Sequence, residues 1–281
     1  MLPLTPDREL LREIPMVLRA RDFHLYLDNG KRLTDLWLHG GKAILGHKPH
    51  LMLRELKNSA ERGLFCPFPH FLEKRLLKAL GEIFPGRIFR LYPDTSSLSK
   101  ALENASRFAE ADFAEADFAK ANFTEPGRIP LWRPFTGELA EKDADIMIPV
   151  LPCPLGPEVL VIDKNLDAAF PQSELISPVI LAAAARAVYN LVRAMREKLP
   201  KYVKIEKALK GSVWRRKGVY LIANGAGVAN GAEGYKEMFR RFLEGGFLLP
   251  PSPVEPAILP MFMSPGEEVK LAGLLSSAIF S

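Results

Sequence analysis

The sequence predicts an α/β fold, and two stretches carry that prediction. Residues 158–192, EVLVIDKNLDAAFPQSELISPVILAAAARAVYNLV, open with the apolar run Val159 to Ile162, of the kind a parallel sheet covers on both faces. Asp163 ends the run at what would be the carboxyl edge of that sheet, where α/β proteins hold ligands. After a short link, Pro178 opens a long helix that is rich in alanine from Leu181 through Met195, and proline suits its first turn. The second stretch, FRLYPDTSSLSKALENASR from Phe89 to Arg107, reads as strand, tight loop and helix.

Composition sets the bounds. The chain has 281 residues, 48% hydrophobic and 25% charged, an ordinary globular balance with enough apolar side chains for one large core or two smaller ones. The net charge is +5, with the excess read as spread along the chain. The densest basic run is Lys198 to Lys217, taken as an amphipathic surface helix running into a basic loop. No nucleic-acid recognition motif accompanies it. Cys66 and Cys153 are the two cysteines. Their spacing fits neither a zinc site nor a disulfide framework, which points to a reducing compartment. The N-terminus is polar, without a signal-peptide core, and the longest apolar stretches are too short to span a bilayer. The expectation is a cytoplasmic protein with no membrane, nucleic-acid or metal partner.

Element by element, Thr5 to Ile14 carries helix-start chemistry, with Thr5 able to cap and Pro6, Asp7 and Glu9 in the first turn. Asp28-Asn29-Gly30 between alternating apolar runs predicts a hairpin. Amphipathic helices follow over Leu51 to Gly63 and Phe71 to Phe84. At Phe89 to Arg107 a helix N-terminus meets a loop of small residues, a generic anion site. Residues 108–123, FAEADFAEADFAKANF, repeat with period five. They suit either one coil of a β-helix or a helix extension whose phenylalanines pack on more than one neighbour. Asp145 to Pro149 and Val159 to Ile162 read as strands joined by a proline-rich loop. Gly218 to Ala223 reads as a strand, Tyr235 to Glu244 as a helix closed by Gly245-Gly246, and Ser264 to Ser277 as the last helix.

Several of these segments together resemble the class-III pyridoxal-phosphate-dependent aminotransferases, of the glutamate-1-semialdehyde aminomutase kind. Tyr26-Leu27-Asp28-Asn29-Gly30-Lys31-Arg32-Leu33-Thr34-Asp35, then Gly40-Gly41, then Gly46-His47-Lys48-Pro49, follow that family's opening pattern. Pro85-Gly86 closes a helix where the family closes one, and Phe247 to Ser252 resembles its apolar strand ending in proline and serine. The resemblance implies a reduced fold-type-I transferase scaffold: an α/β domain beside a small α+β domain built from both termini. It divides the chain into residues 1–86, contributing to the small domain and a dimer interface; residues 87–180, a reduced large domain with the insertion at 108–123; and residues 181–281, the rest of the small domain.

The resemblance also implies a site. Asp94-Thr95-Ser96-Ser97-Leu98 matches the family's phosphate loop, with Thr95 in place of a glycine, Ser96 at the hydroxyl position, and Asp94 open to a second role as a helix cap. Phe135 falls where a family aromatic stacks on the cofactor, or else is a core phenylalanine. Asp163 matches the carboxylate that pairs with the pyridine nitrogen. Thr95, Ser96, Phe135 and Asp163 are therefore the implied cofactor residues. His47 is taken as a structural turn residue. No lysine occurs from Asn165 to Ser177, where the family carries its Schiff-base lysine, so no catalytic residue is assigned and no bound pyridoxal phosphate is expected. Three functions follow: a homologue that has lost transamination and acts as a homodimer through binding or assembly; a working pyridoxal-phosphate enzyme on amino acids or amino-aldehydes; or a protein that holds a small molecule in the relict pocket.

Overall fold

The computed structural model describes residues 7–112, 129–136, 144–223 and 231–276. It divides into two compact units, one within Pro49–Pro134 and Glu138–Arg196, the other within Leu4–Lys48, Phe135–Gly137 and Glu197–Ser281.

In the first unit, α2 (Met52–Glu61) and α3 (Phe71–Ile83) pack on α5 (Pro178–Ala194). Helix α3 buries Leu72, Leu76, Ala79, Leu80 and Ile83, a repeat at three- and four-residue steps that makes one apolar stripe. Helix α5 buries Ala182, Ala183, Ala184, Ala185 and Ala187, small side chains that let neighbouring helices approach closely. That packing puts α5 wholly in this unit, whereas the sequence-based division broke the helix at residue 180 and gave α2 and α3 to the N-terminal segment.

The sheet of this unit runs in the order β4 (Ile88–Tyr92), β7 (Glu158–Ile162), β6 (Ile146–Pro149), β5 (Leu131–Trp132). β7 is antiparallel to both β4 and β6, while β5 and β6 are parallel. The expected parallel setting of Val159 to Ile162 is thus corrected. All four residues are buried, and an unbroken apolar run reports burial on two faces rather than strand direction. The link from β6 to β7 is a short proline-rich loop, and a parallel return would need a crossover of a dozen or more residues. On one face Leu160 and Ile162 join Tyr92, Ile146 and Phe170 in a core closed by Leu98 and Ala101 of α4 (Thr95–Asp112). Helix α4 continues into the first five residues of the period-five repeat; residues 113–123 of that repeat lie outside the described residues.

The second unit joins both ends of the chain. β1 (Val17–Arg21), β2 (His24–Leu27) and β3 (Arg32–Asp35) form antiparallel neighbours, and β10 (Phe247–Leu248) adds in parallel to β3. Gly30, at φ +77, makes the expected turn between β2 and β3. A second sheet has the order β11 (Ala257–Ile258), β9 (Tyr220–Ala223), β8 (Trp214–Lys217). The basic run therefore contains a short helix, α6 (Val203–Ala208), and then a strand where a loop was expected. Helix α1 (Arg8–Arg12) is capped by Asp7, whose carboxylate accepts from Glu9 N at 2.8 Å; Thr5 and Pro6 lie outside the described residues. Helices α7 (Gly231–Glu244) and α8 (Pro265–Ser276) complete the unit around a core that includes Leu36, Phe239, Phe242 and Leu271.

Candidate functional site

Thr95 and Ser96 open α4 at the end of β4. Just before them the Asp94 carboxylate accepts from Ser97 N at 2.8 Å, so Asp94 caps the helix. Its negative charge stands where the free N–H groups of the first turn would meet an anion. Thr95 donates its hydroxyl to Glu158 Oε1 at 3.3 Å, and Ser96 is exposed.

Asp163 lies at the other end of the sheet. Tyr92 pairs with Glu158 and Ile88 with Ile162, so the end of β4 meets the start of β7. Asp163, just past the end of β7, meets Arg87, just before the start of β4. The Arg87 guanidinium lies 3.3 Å from Asp163 Oδ2. The other carboxylate oxygen accepts from Asn165 N at 3.0 Å and caps a 3-10 helix over Lys164–Ala169. Both oxygens are engaged within the chain.

The segment that follows Asp163 is built into the sheet edge. The buried Arg90 guanidinium pairs with Asp167 and donates to Pro171 O. Phe170 fills the core under α4. Leu91 N donates to Ser173 Oγ at 3.1 Å, and Glu174 N donates to Leu91 O at 2.9 Å. Residues 163–174 thus cover the open edge of β4 and satisfy backbone groups that an edge strand would otherwise expose.

Phe135 belongs to the second unit. Its backbone is at φ +65, its carbonyl accepts from Val219 N at 3.3 Å, and its ring packs partly buried against that unit's core. Gly218 is required there: a Cβ on it would come within 1.7 Å of Phe135 O. His47 is a turn residue. Its ring lies 2.9 Å from the buried Asp35 carboxylate, which also accepts from Trp37 N and Leu38 N, and its own N–H donates to Asp22 O.

Sequence reasoning missed Arg87, Arg90, Glu158 and Asp167. A signal was present for one of them: an arginine in the middle of a buried strand, as in FRLY, requires a carboxylate elsewhere. It also missed a cluster beyond β3. Trp37 Nε1 donates to Glu255 Oε2 at 2.8 Å, and the Trp37 and His39 rings are 5.3 Å apart. Burial, with Lys42 nearby, lowers His39 below the ordinary histidine range, against the pull of Asp35 and Glu255. Among the described residues no group of three or more His, Cys, Asp or Glu is placed to hold a metal, and no helix is long and apolar enough to cross a membrane.

Solved structures share this fold. The ornithine aminotransferase of Plasmodium yoelii aligns with a TM-score of 0.66 at 12% identity, over 94% of this chain and 93% of that one. The acetylornithine aminotransferase of Elizabethkingia anophelis aligns at 0.67 and 13%, over 94% and 93%. An omega-transaminase of Sphaerobacter thermophilus aligns at 0.68 and 11%, over 94% and 90%. The fold is that of the pyridoxal-phosphate-dependent aminotransferases. In sequence, an uncharacterized protein of Treponema pallidum is 26% identical over 90% of this chain and 91% of its own. An uncharacterized protein of Borreliella burgdorferi is 31% identical over 36% of this chain and 39% of its own. No family model matches.

The transferase fold raises the question of its cofactor, and the residues here do not fit one. Four rungs of an antiparallel pair separate Glu158, beside Thr95, from Ile162, beside Asp163. That is roughly 14 Å along the strands, so Thr95 and Asp163 stand at opposite ends of the pair and share no sheet edge. The helix end that resembles a phosphate loop in sequence carries the Asp94 carboxylate, and Asp163 is already committed to Arg87 and Asn165.

Proposed function

We propose that this protein is an aminotransferase homologue that no longer transaminates and works through binding and self-assembly. The observation that carries the reading is the placement of Thr95 and Asp163 at opposite ends of the antiparallel β4–β7 pair. The absence of lysine between Asn165 and Ser177 supports it from the sequence. Transamination needs an amine to carry the cofactor and move the proton at the substrate carbon. Here the segment that follows Asp163 serves as a strap along β4.

Assembly as a homodimer is part of the same reading. From the link after α2 to the first residue of α3 the chain presents Phe65, Phe68 and Phe71 at 63%, 54% and 64% exposure, an apolar display that a partner surface would cover. Cys66, exposed, and Cys153, buried, form no disulfide, which suits a cytoplasmic setting.

The test is the absorbance spectrum of the purified protein after incubation with pyridoxal phosphate, followed by borohydride and peptide mass mapping. We expect no internal-aldimine band and no labelled lysine; a single labelled lysine would overturn the reading. Light scattering at micromolar protein should give the mass of a dimer, and a monomer would remove the assembly part.

A further inference from the structure

We infer that the basic surface around α6 docks on an anionic lipid surface. Residues 198–217 carry eight Lys or Arg and one Glu, a net of +7, where the whole chain carries +5. The rest of the chain is therefore net −2, so the positive excess lies in this one stretch instead of being spread along the chain. Lys198, Lys201, Lys207, Lys210 and Arg215 are exposed. Helix α6 turns Ile205 into the core and leaves Val203 55% exposed.

Apolar side chains stand among these charges. The Tyr202 hydroxyl donates to Pro260 O at 2.9 Å, and Lys204 N donates to Glu268 Oε1 at 2.8 Å. Those bonds lay the start of α6 against residues 260–268. Phe262 there is 76% exposed, and Val269, next to Glu268, is 51% exposed. Three acidic groups beside α6 are engaged: Glu268 accepts from Lys204, Glu206 pairs with Arg216, and Glu267 pairs with His24 and Arg32.

The chemistry favours lipid over other anions. Six of the eight cations are lysines, compact point charges that suit a diffuse negative surface, whereas bidentate recognition of single groups and base edges favours the arginine fork. Valine and phenylalanine gain little from a nucleic-acid backbone, but they gain from entering the boundary between headgroups and acyl chains. The sequence excluded a membrane partner because no stretch spans a bilayer; docking at the surface needs no span.

The experiment is flotation of the full-length protein with phosphatidylcholine vesicles, with and without phosphatidylserine, at low and raised salt. We expect binding only with phosphatidylserine, weakened by salt. Neutralising Lys201, Lys207 and Lys210 to Gln should weaken partition about fivefold per lysine. Phe262→Ser should weaken it with the charge intact, and circular dichroism melts should show both variants folded. Equal binding to neutral vesicles, or no binding to either kind, overturns the inference. So does capture by a single-stranded oligonucleotide or by polyglutamate when the serine-lipid vesicles fail.

Discussion

Asp163 and Arg87 face each other at 3.3 Å across the end of the β4–β7 pair that lies farthest from Thr95. The carboxylate that resembles a cofactor ligand in sequence is a structural group: it pairs with one cation and caps the turn that begins the strap.

Two substitutions separate those roles. Asp163→Asn keeps a side chain able to cap and loses the charge; Asp163→Ala loses both. We expect Ala to cost about 1–2 kcal/mol and Asn about half as much. Thermal melts measure this, with millimolar pyridoxal phosphate leaving every midpoint unchanged. A midpoint that rises with cofactor in the unmodified protein, and not in Asp163→Asn, would show a ligand site at Asp163.

The Arg90–Asp167 pair is lopsided, with side chains 8% and 47% exposed. Removing Asp167 leaves a buried guanidinium whose partners among the described residues are the Pro171 and Phe89 carbonyls. Removing Arg90 leaves a carboxylate that water can reach. Asp167→Ala should therefore cost more, about 2–3 kcal/mol, than Arg90→Met, which keeps much of the buried stem. Urea denaturation of both variants checks the order.

Two glycines should respond in opposite directions. Gly218, at φ +61, has Phe135 O 1.7 Å from the place of a Cβ, while Gly81 inside α3 has nothing within 4 Å. Gly218→Ala should destabilise by more than about 2 kcal/mol, through strain and the displaced Phe135 backbone. Gly81→Ala should stabilise by about 0.5–1 kcal/mol. Melting midpoints of the two variants should straddle that of the unmodified protein.

Glu267 links α8 to the N-terminal hairpin. One oxygen accepts from Ser264 N and Oγ, while Ser264 Oγ accepts from Glu267 N, a reciprocal cap; the other oxygen lies 2.7 Å from His24 Nε2 and 3.0 Å from Arg32. Burial alone would raise its pKa, but the bonds from Ser264 and His24 hold it down at about 2, from 4.5. A carboxylate depressed on folding binds protons more weakly in the native state. Its contribution is present above pH 4.5 and is lost as pH falls through about 2. Glu267→Gln should lower the urea midpoint at pH 7 and narrow its difference from the unmodified protein toward pH 2. A constant gap across that range would mean that the charge is not what stabilises.

Much of the architecture was legible because local chemistry wrote it. Asn29-Gly30 specified a hairpin, the alanines after Pro178 a close-packed helix, and the Asp94 carboxylate a helix cap, each through interactions a few residues long. The two termini meeting in one unit followed from the family resemblance, and the pairing of β10 with β3 shows it. Strand direction was not legible. Val159 to Ile162 are apolar because both faces are covered, and that pattern is the same whichever way a neighbour runs. Direction alone decided whether Thr95 and Asp163 would share an edge. Only the fold could pair Tyr92 with Glu158 and Arg87 with Asp163, because those contacts bring together residues more than sixty positions apart. Their partners were chosen by register, which side-chain identity at any one position does not encode.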